Sequence, residues 1–474
     1  MQKNIPDPKR WAALALLCAA QFIVILDTSI IGVALPAMQT DLGFSASGLS
    51  WIFNAYVIAF GGLLLLGGRL GDLLGARRIF ASGFSILTAA SLLAGLAQSQ
   101  EMLLAGRALQ GVGAALIAPS ALTIVMRLFG HDGAELGKAF GFWGAAAAAG
   151  GSAGVFLGGV ITEWMTWPWT FLINVPLGLL VLALVPAVLR QSPRSTGAVD
   201  WFGAISVTGA LVTLVYAIVT IESAGLGSPQ ILTMLGMSVA LFVVFLIAQF
   251  VRRAPLLPLG IFKAPNLAAG NLAMALLGAA WIPLWFFLNL YLQQILGLSA
   301  LASGLALLPM TGTIMIVMVG FSGKLIGRFG AKPNLVLGLL LMGGALLMFA
   351  NLPLDGSFVV NVLPASLLAG LGMALAYIPT TMTGMAGAKP EETGLASGLI
   401  NTTYQIGSAI GLAVMVALST SGSGHGTGTG QTAEGMLAGF QAAFLGAGVA
   451  AGLAALAALV FVRSAGPQKT VPVG

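Results

Sequence analysis

In the apolar stretch AQFIVILDTSIIGVALP, Ala20 to Pro36, one carboxylate, Asp27, stands near the middle. A charge at the centre of a membrane helix costs roughly 2.5–3.5 kcal/mol on insertion scales, so Asp27 calls for a compensating role. A second charge, Arg107, lies in AGRALQGVGAALIAPS, six residues after Glu101. An acid beside an arginine is suited to ion coupling. Burial opposes the charged carboxyl and a guanidinium favours it, so a modest rearrangement can move a proton on or off near neutral pH. Two plainer readings stay open: a permanent buried ion pair, or an Asp27 carboxylate bonded to backbone near a kink.

These side chains have to be held by elements that cross a membrane. Of the 474 residues 58% are hydrophobic and 7% charged, with a mean hydropathy of +1.00, whereas soluble domains carry roughly 25% charged residues. Apolar runs recur from Ala12 to Val462, and about fourteen of them reach the roughly 20 residues that cross about 30 Å of hydrocarbon. The expected spans are 12–36, 50–68, 79–98, 102–126, 138–161, 169–189, 201–221, 231–251, 267–292, 301–321, 334–351, 358–381, 395–418 and 437–462. A β-barrel would need alternating strands, which the sequence lacks. The 65 glycines suit close helix packing. The run after Met1 to Arg10 is too long for a signal-peptide core, so a retained first span is expected.

Charge fixes the expected topology. Lys3, Lys9, Arg10, Arg69, Arg77, Arg78, Arg127, Lys138, Arg190, Arg194, Arg252, Arg253, Lys263, Lys324, Arg328, Lys332, Lys389, Arg463 and Lys469 all fall on one side, which leaves only Arg107 of the 20 Lys and Arg. Asp41, Glu101, Glu163, Glu222, Asp355 and Glu434 occupy the opposite loops. Cytoplasmic loops are enriched in Lys and Arg, so both termini are expected in the cytoplasm. The net charge of +6 and pI of about 9.7 follow from this scatter and do not indicate nucleic acid. Cys18 is alone, so no disulfide framework exists.

Asp27 lies on the order of 25 Å along the first span, and Arg107 about 9 Å below the opposite surface, so the two match in depth. Pairing, directly or through Gln21, Asn54, Tyr56 and Gln110, would place them at a cavity. In the second half, WIPLWFFLNLYLQQ (Trp281 to Gln294) supplies Asn289 and Gln293, and INTTYQIG (Ile400 to Gly407) adds amides and hydroxyls. An apolar cavity with few polar anchors suits amphiphilic organic molecules better than sugars. The small residues of GFWGAAAAAGGSAGVFLGG, Gly141 to Gly159, allow either simple close packing or a gating bend around Gly154, Gly158 and Gly159.

GRLGDLLGARR, Gly68 to Arg78, aligns without a gap on GKLIGRFGAK, Gly323 to Lys332, with Gly75 facing Gly330 and Asp72 facing Gly327. The shift of eight spans implies a plan of six, two and six, and such repeats mark transporters whose halves rock about a midplane site. With LDTSIIGVALP, AGRALQGVGAALIAPS, GSAGVFLGG and WPWTFLINVPLG in this order, the chain resembles the major facilitator superfamily, and more closely its fourteen-span drug:proton antiporters. Three positions depart from that pattern: Val155 where Pro is usual, Pro168 where Arg is common and Gly32 where Asn is common.

The resemblance implies an all-α polytopic membrane protein with two pseudo-symmetric six-helix bundles, 1–190 and 264–474, and two inserted helices within 191–263. It also implies proton coupling at Arg107, and a conformational latch in which Asp72, Arg77 and Arg78 engage a neighbouring helix end while Gly68 and Gly75 permit a tight turn. The expected function is proton-coupled efflux of hydrophobic or amphiphilic drugs across the cytoplasmic membrane by alternating access. The expected partners are a small amphiphile, protons and the bilayer, and the expected state is a monomer without cofactor or metal. An importer or dedicated metabolite exporter of the same fold is the alternative that Val155 keeps open. A membrane enzyme or sensor is remote, since His131 and His425 lie in loops on opposite sides, and neither metal-ligand spacing nor a phosphate-binding loop appears.

Overall fold

The computed structural model describes residues 8–45, 48–129, 133–191, 200–225, 227–252, 255–257, 259–385, 393–422 and 432–463. Lys3, His131, Arg194, Arg253, Lys389, His425, Lys469 and most of the Ser421 to Gly430 loop lie outside them. The helices are α1 (Arg10–Leu42), α2 (Ser50–Leu74), α3 (Ala76–Gly95), α4 (Gln100–Phe129), α5 (Gly133–Trp164), α6 (Trp169–Leu172), α7 (Asn174–Val188) and α8 (Trp201–Ala224). There follow α9 (Pro229–Val251), α10 (Leu267–Leu290), α11 (Ala300–Gly320), α12 (Ser322–Phe329), α13 (Ala331–Phe349), α14 (Leu363–Met385), α15 (Thr393–Gly422) and α16 (Ala433–Phe461). Among the described residues fourteen helical stretches are long and apolar enough to cross a membrane, α6 and α7 together forming one of them. Several run a turn or more past the ends that hydropathy suggests, because polar residues at a helix end still propagate the backbone hydrogen bonds into the interface.

We call the side where α1 begins, at Arg10, the basic face and the side where it ends, beyond Asp41, the acidic face. Within the first half α1 packs on α5, α2 on α4, and α3 on α4 and α7; within the second, α13 packs on α14 and α16, and α10 on α15 and α16. The halves meet through α5 with α11 and α2 with α15, while α8 and α9 pair with each other. On the acidic side the apolar core is continuous: Ile30 to Met38 of α1 are buried in one cluster with α10, α11, α13 and α16. Toward the basic face a second cluster takes Ala13 to Val24 of α1 with α2, α3 and α4, and it includes Leu211 and Val215 of α8 and Ala409 and Ala413 of α15; a third joins Leu65 and Leu66 of α2 to Leu267 of α10 and Leu399 of α15.

The internal repeat has a backbone counterpart. Gly75 and Gly330 both take positive φ, 96° and 85°, and their N–H groups donate to the carbonyls of Gly71 and Ile326, four residues back in each copy. A residue with a Cβ would be strained at either turn. The helix break between α6 and α7 is also written in the sequence, since Pro176 has no N–H to give the carbonyl of Leu172, where α6 ends. That break sets Asn174 at the first turn of α7.

Asp200, buried at the start of α8, accepts from Gly203 N at 2.9 Å, from Gln249 Nε2 and Leu256 N at 3.4 Å each, and pairs with Arg252 Nη1 at 3.2 Å. It therefore caps α8 and ties it to the end of α9. Asp200→Ala is expected to cost about 1–2 kcal/mol from the lost cap alone. The check is the thermal midpoint of the purified protein, with faster amide exchange confined to the first turns of α8.

Candidate functional site

Asp27 and Arg107 meet. Each is fully buried, and Arg107 Nη1 lies 3.0 Å from Asp27 Oδ2. Hydropathy matched them in depth, and the packing of α1 and α4 in one bundle matches them in azimuth. Gln110, one turn after Arg107 on α4, braces both: its Oε1 accepts from Arg107 Nη1 at 2.7 Å and its Nε2 donates to Asp27 Oδ1 at 2.7 Å and to Ser91 Oγ at 2.8 Å. Asn174 Nδ2 donates to the same Oδ1 at 2.6 Å. Arg107 Nε reaches the carbonyl of Ile52 at 2.9 Å, and its guanidinium carbon stands 4.4 Å over the Tyr56 ring.

Among the described residues the carboxyl receives three donors, which favour its charged form, while full burial opposes it. Within the cluster, three buried polar atoms have no partner among the described residues: Arg107 Nη2, Asn174 Oδ1 and the Tyr56 hydroxyl. Each would cost about 1–3 kcal/mol if left dry.

Tyr56 and Gln110 belong to this region, whereas Asn54, two residues from both Ile52 and Tyr56, and Gln21, six residues before Asp27, have no hydrogen bond to the cluster among the described residues. Asn289 and Gln293 lie where the second half meets α1. Gln293 Nε2 donates to the Val33 carbonyl of α1 at 3.3 Å, and the Asn289 amide fills the space above Gly32, 3.1 Å from where a Cβ would sit. Both join the second half to α1 on the acidic side of Asp27. Asn174, Ser91 and the Ile52 carbonyl are site members that the sequence reading did not single out. Asn174 carried a signal, an amide beside the helix-breaking Pro176 in WPWTFLINVPLG; Ser91 and a main-chain oxygen carried none.

The glycines of α5 divide by face. Gly150, Gly154 and Gly158 lie on the α1 carbonyls of Phe22, Leu26 and Ile30, where a Cβ would come within 2.5, 2.9 and 2.6 Å. Gly159 faces α11, 2.8 Å from the Leu301 Cα by the same measure. The turn that carries Asp27 is therefore clasped by α5. Near the basic face Asp72 is exposed within the fields of Arg127, at the end of α4, and Arg69. Gly68 packs toward Pro119, and Arg77 and Arg78 line a hollow of about 270 Å³ with Gly75 and Gln191.

An acid–arginine pair inside a fourteen-span helical fold with a repeated Gly turn narrows the family. The sequence profile of the Major Facilitator Superfamily matches residues 17–412. The chain belongs to that superfamily. It is 38% identical over 411 residues to the puromycin resistance protein pur8 of Streptomyces alboniger, covering 86% of this chain and 81% of the relative. It is 37% identical over 404 residues to the cephamycin export protein CmcT of Amycolatopsis lactamdurans, covering 84% and 83%. Among solved structures it is similar to an auto-inhibited peptide transporter of the POT family, with a TM-score of 0.67 and 17% identity over 97% of this chain and 98% of that one, a likeness of fold. This superfamily member is a multi-pass protein of the cell membrane.

Proposed function

We propose that this transporter exports hydrophobic or amphiphilic antibiotics in exchange for protons, by alternating access between a bundle of 1–190 and one of 264–474. The observation that carries the reading is the buried Asp27 carboxylate, held by Arg107, Gln110 and Asn174 in a network with unpartnered donors and acceptors beside it. Relatives that confer resistance to puromycin or export cephamycin support the substrate class. The clustering of Lys and Arg supports the basic face as cytoplasmic. Contacts between α5 and α11 near the acidic face, from Glu163 to Leu301 and from Val155 to Gly304, with open space at Gly141, Gly144, Gly312 and Gly320 toward the basic face, support a conformer closed to the exterior.

In the proposed cycle a proton arriving from the exterior neutralises Asp27 and frees Arg107 and Gln110 to change partners. The re-pairing loosens the clasp of α5 on α1, and Asp72 with Arg69 and Arg127 restrains the basic face. Protons moving inward supply about 2.3 kcal/mol per 100 mV, plus any pH difference, to drive export. No enzymatic step is involved, and a monomer suffices. The test uses inverted membrane vesicles with an acid lumen: adding puromycin should release lumenal protons and load the drug. Drug loading without proton movement would overturn the coupling, and net uptake by whole cells would reverse the direction.

A further inference from the structure

On the acidic side, Leu301 N at the start of α11 donates across the halves to Glu163 Oε2 of α5 at 3.2 Å. This bond joins a charge to a helix end. Glu163 stands in the last turn of α5, where unpaired carbonyls disfavour a carboxylate, and no basic residue in that turn offsets it. The same carboxylate meets the first turn of α11, whose free N–H groups favour it. Glu163 is therefore at the unfavourable end of its own helix and at the favourable end of a helix in the other half.

Backbone packing brings the two together. Val155, Gly159 and Glu163 recur every four residues along α5 and so share one stripe. An added Cβ at Gly304 of α11 would stand 2.7 Å from the Val155 carbonyl, and one at Gly159 would stand 2.8 Å from Leu301 Cα. The adjoining stripe of Gly150, Gly154 and Gly158 lies on α1, so α5 touches the Asp27 turn on one face and α11 on the next. α11 also has a cap of its own, since Ser299 Oγ accepts from Ala302 N at 3.2 Å. When the halves part, Ser299 still holds the helix end and Leu301 N passes to water. The contact across the seam can thus break without unravelling α11.

We propose that Glu163 is a reversible latch on the exterior side: its carboxylate caps α11 across the seam while the exterior is closed, and its release from Leu301 is a step of exterior opening. The inference rests on the export reading for which face is the exterior. Because α5 also clasps the Asp27 turn, neutralising Asp27 and releasing the latch act on one helix.

The test is a spin-label distance measurement on the full chain in lipid nanodiscs at neutral pH. In a Cys18→Ser background, labels go on Thr166→Cys of the first half and Leu354→Cys of the second, both exposed at the acidic face. Glu163→Gln keeps the shape and an acceptor oxygen but removes the charge. It should raise the wider-spaced population by about two- to fivefold, the range for an exposed charge at a helix end, and leave the thermal midpoint near that of the wild type. Ser299→Ala removes the cap within the half, and it should lower the thermal midpoint and leave the distances unchanged. Unmoved distances in Glu163→Gln, or an equal shift in Ser299→Ala, would overturn the latch. Asp27→Asn in the same labelled chain tests the export reading separately: distances unmoved there, with Glu163→Gln effective, would overturn the coupling and leave the latch standing. A membrane-impermeant maleimide that fails to label Thr166→Cys in whole cells would place the acidic face inside and overturn both.

Discussion

Asp27→Asn is expected to abolish proton-driven export while leaving a folded protein that still binds substrate. Asparagine keeps the shape of the side chain but removes the charge that Arg107 Nη1 meets at 3.0 Å. Breaking one side of a buried ion pair leaves the other charge uncompensated, a loss of about 3–5 kcal/mol. The thermal midpoint should therefore fall together with transport. The double variant Asp27→Asn with Arg107→Gln separates the two effects, because it removes both charges and should recover most of the stability while export stays lost. Recovery of export along with stability would mean that the pair serves only to hold α1 on α4. Proton release in vesicles and thermal unfolding of the purified protein read the two quantities independently.

Gly154→Val should be nearly as damaging, for a steric reason. Its Cβ would stand 2.8 Å from Ser29 Cβ and 2.9 Å from the Leu26 carbonyl, and backbone on both sides leaves nothing to yield except the helix spacing. Overpacking of this kind costs about 1–3 kcal/mol, and here the displaced backbone is the turn that aims Asp27 at Arg107. Gly141→Ala is the matched control. With nothing within 4 Å, it should gain about 0.5–1 kcal/mol from helix propensity and keep transport near the wild-type rate. Thermal midpoints and initial rates of puromycin loading in the same vesicles distinguish the two.

Much of the fold and part of the site are legible in the sequence. Hydropathy located fourteen spans, and the distance of Asp27 and Arg107 from the span ends put them at one depth. The alignment of Gly75 with Gly330 anticipated two turns with the same unusual backbone. Depth, however, is one coordinate of three. Which way a side chain points around a helix depends on neighbours far away in the chain, and this is why the contacts of Gln293 with Val33 and of Asn289 with Gly32 were not legible from spacing. Asn174 reaches Asp27 because a proline two residues later breaks the sixth span, a local signal visible once the break is seen. The packing of α8 on α2 follows from shape matching along Gly62 and Thr208, and nothing in an apolar run specifies such a partner.

The claim on which the rest depends is that Asp27 gains and loses a proton during transport. Difference infrared spectroscopy on the purified protein reads it directly. The expected result is a protonated-carboxyl band that appears on acidification, disappears when puromycin is added at the same pH, and is missing in Asp27→Asn. A carboxylate signal assigned to Asp27 by its loss in that variant, and unchanged by either pH or drug, would instead mark a permanent ion pair and contradict the proposed coupling.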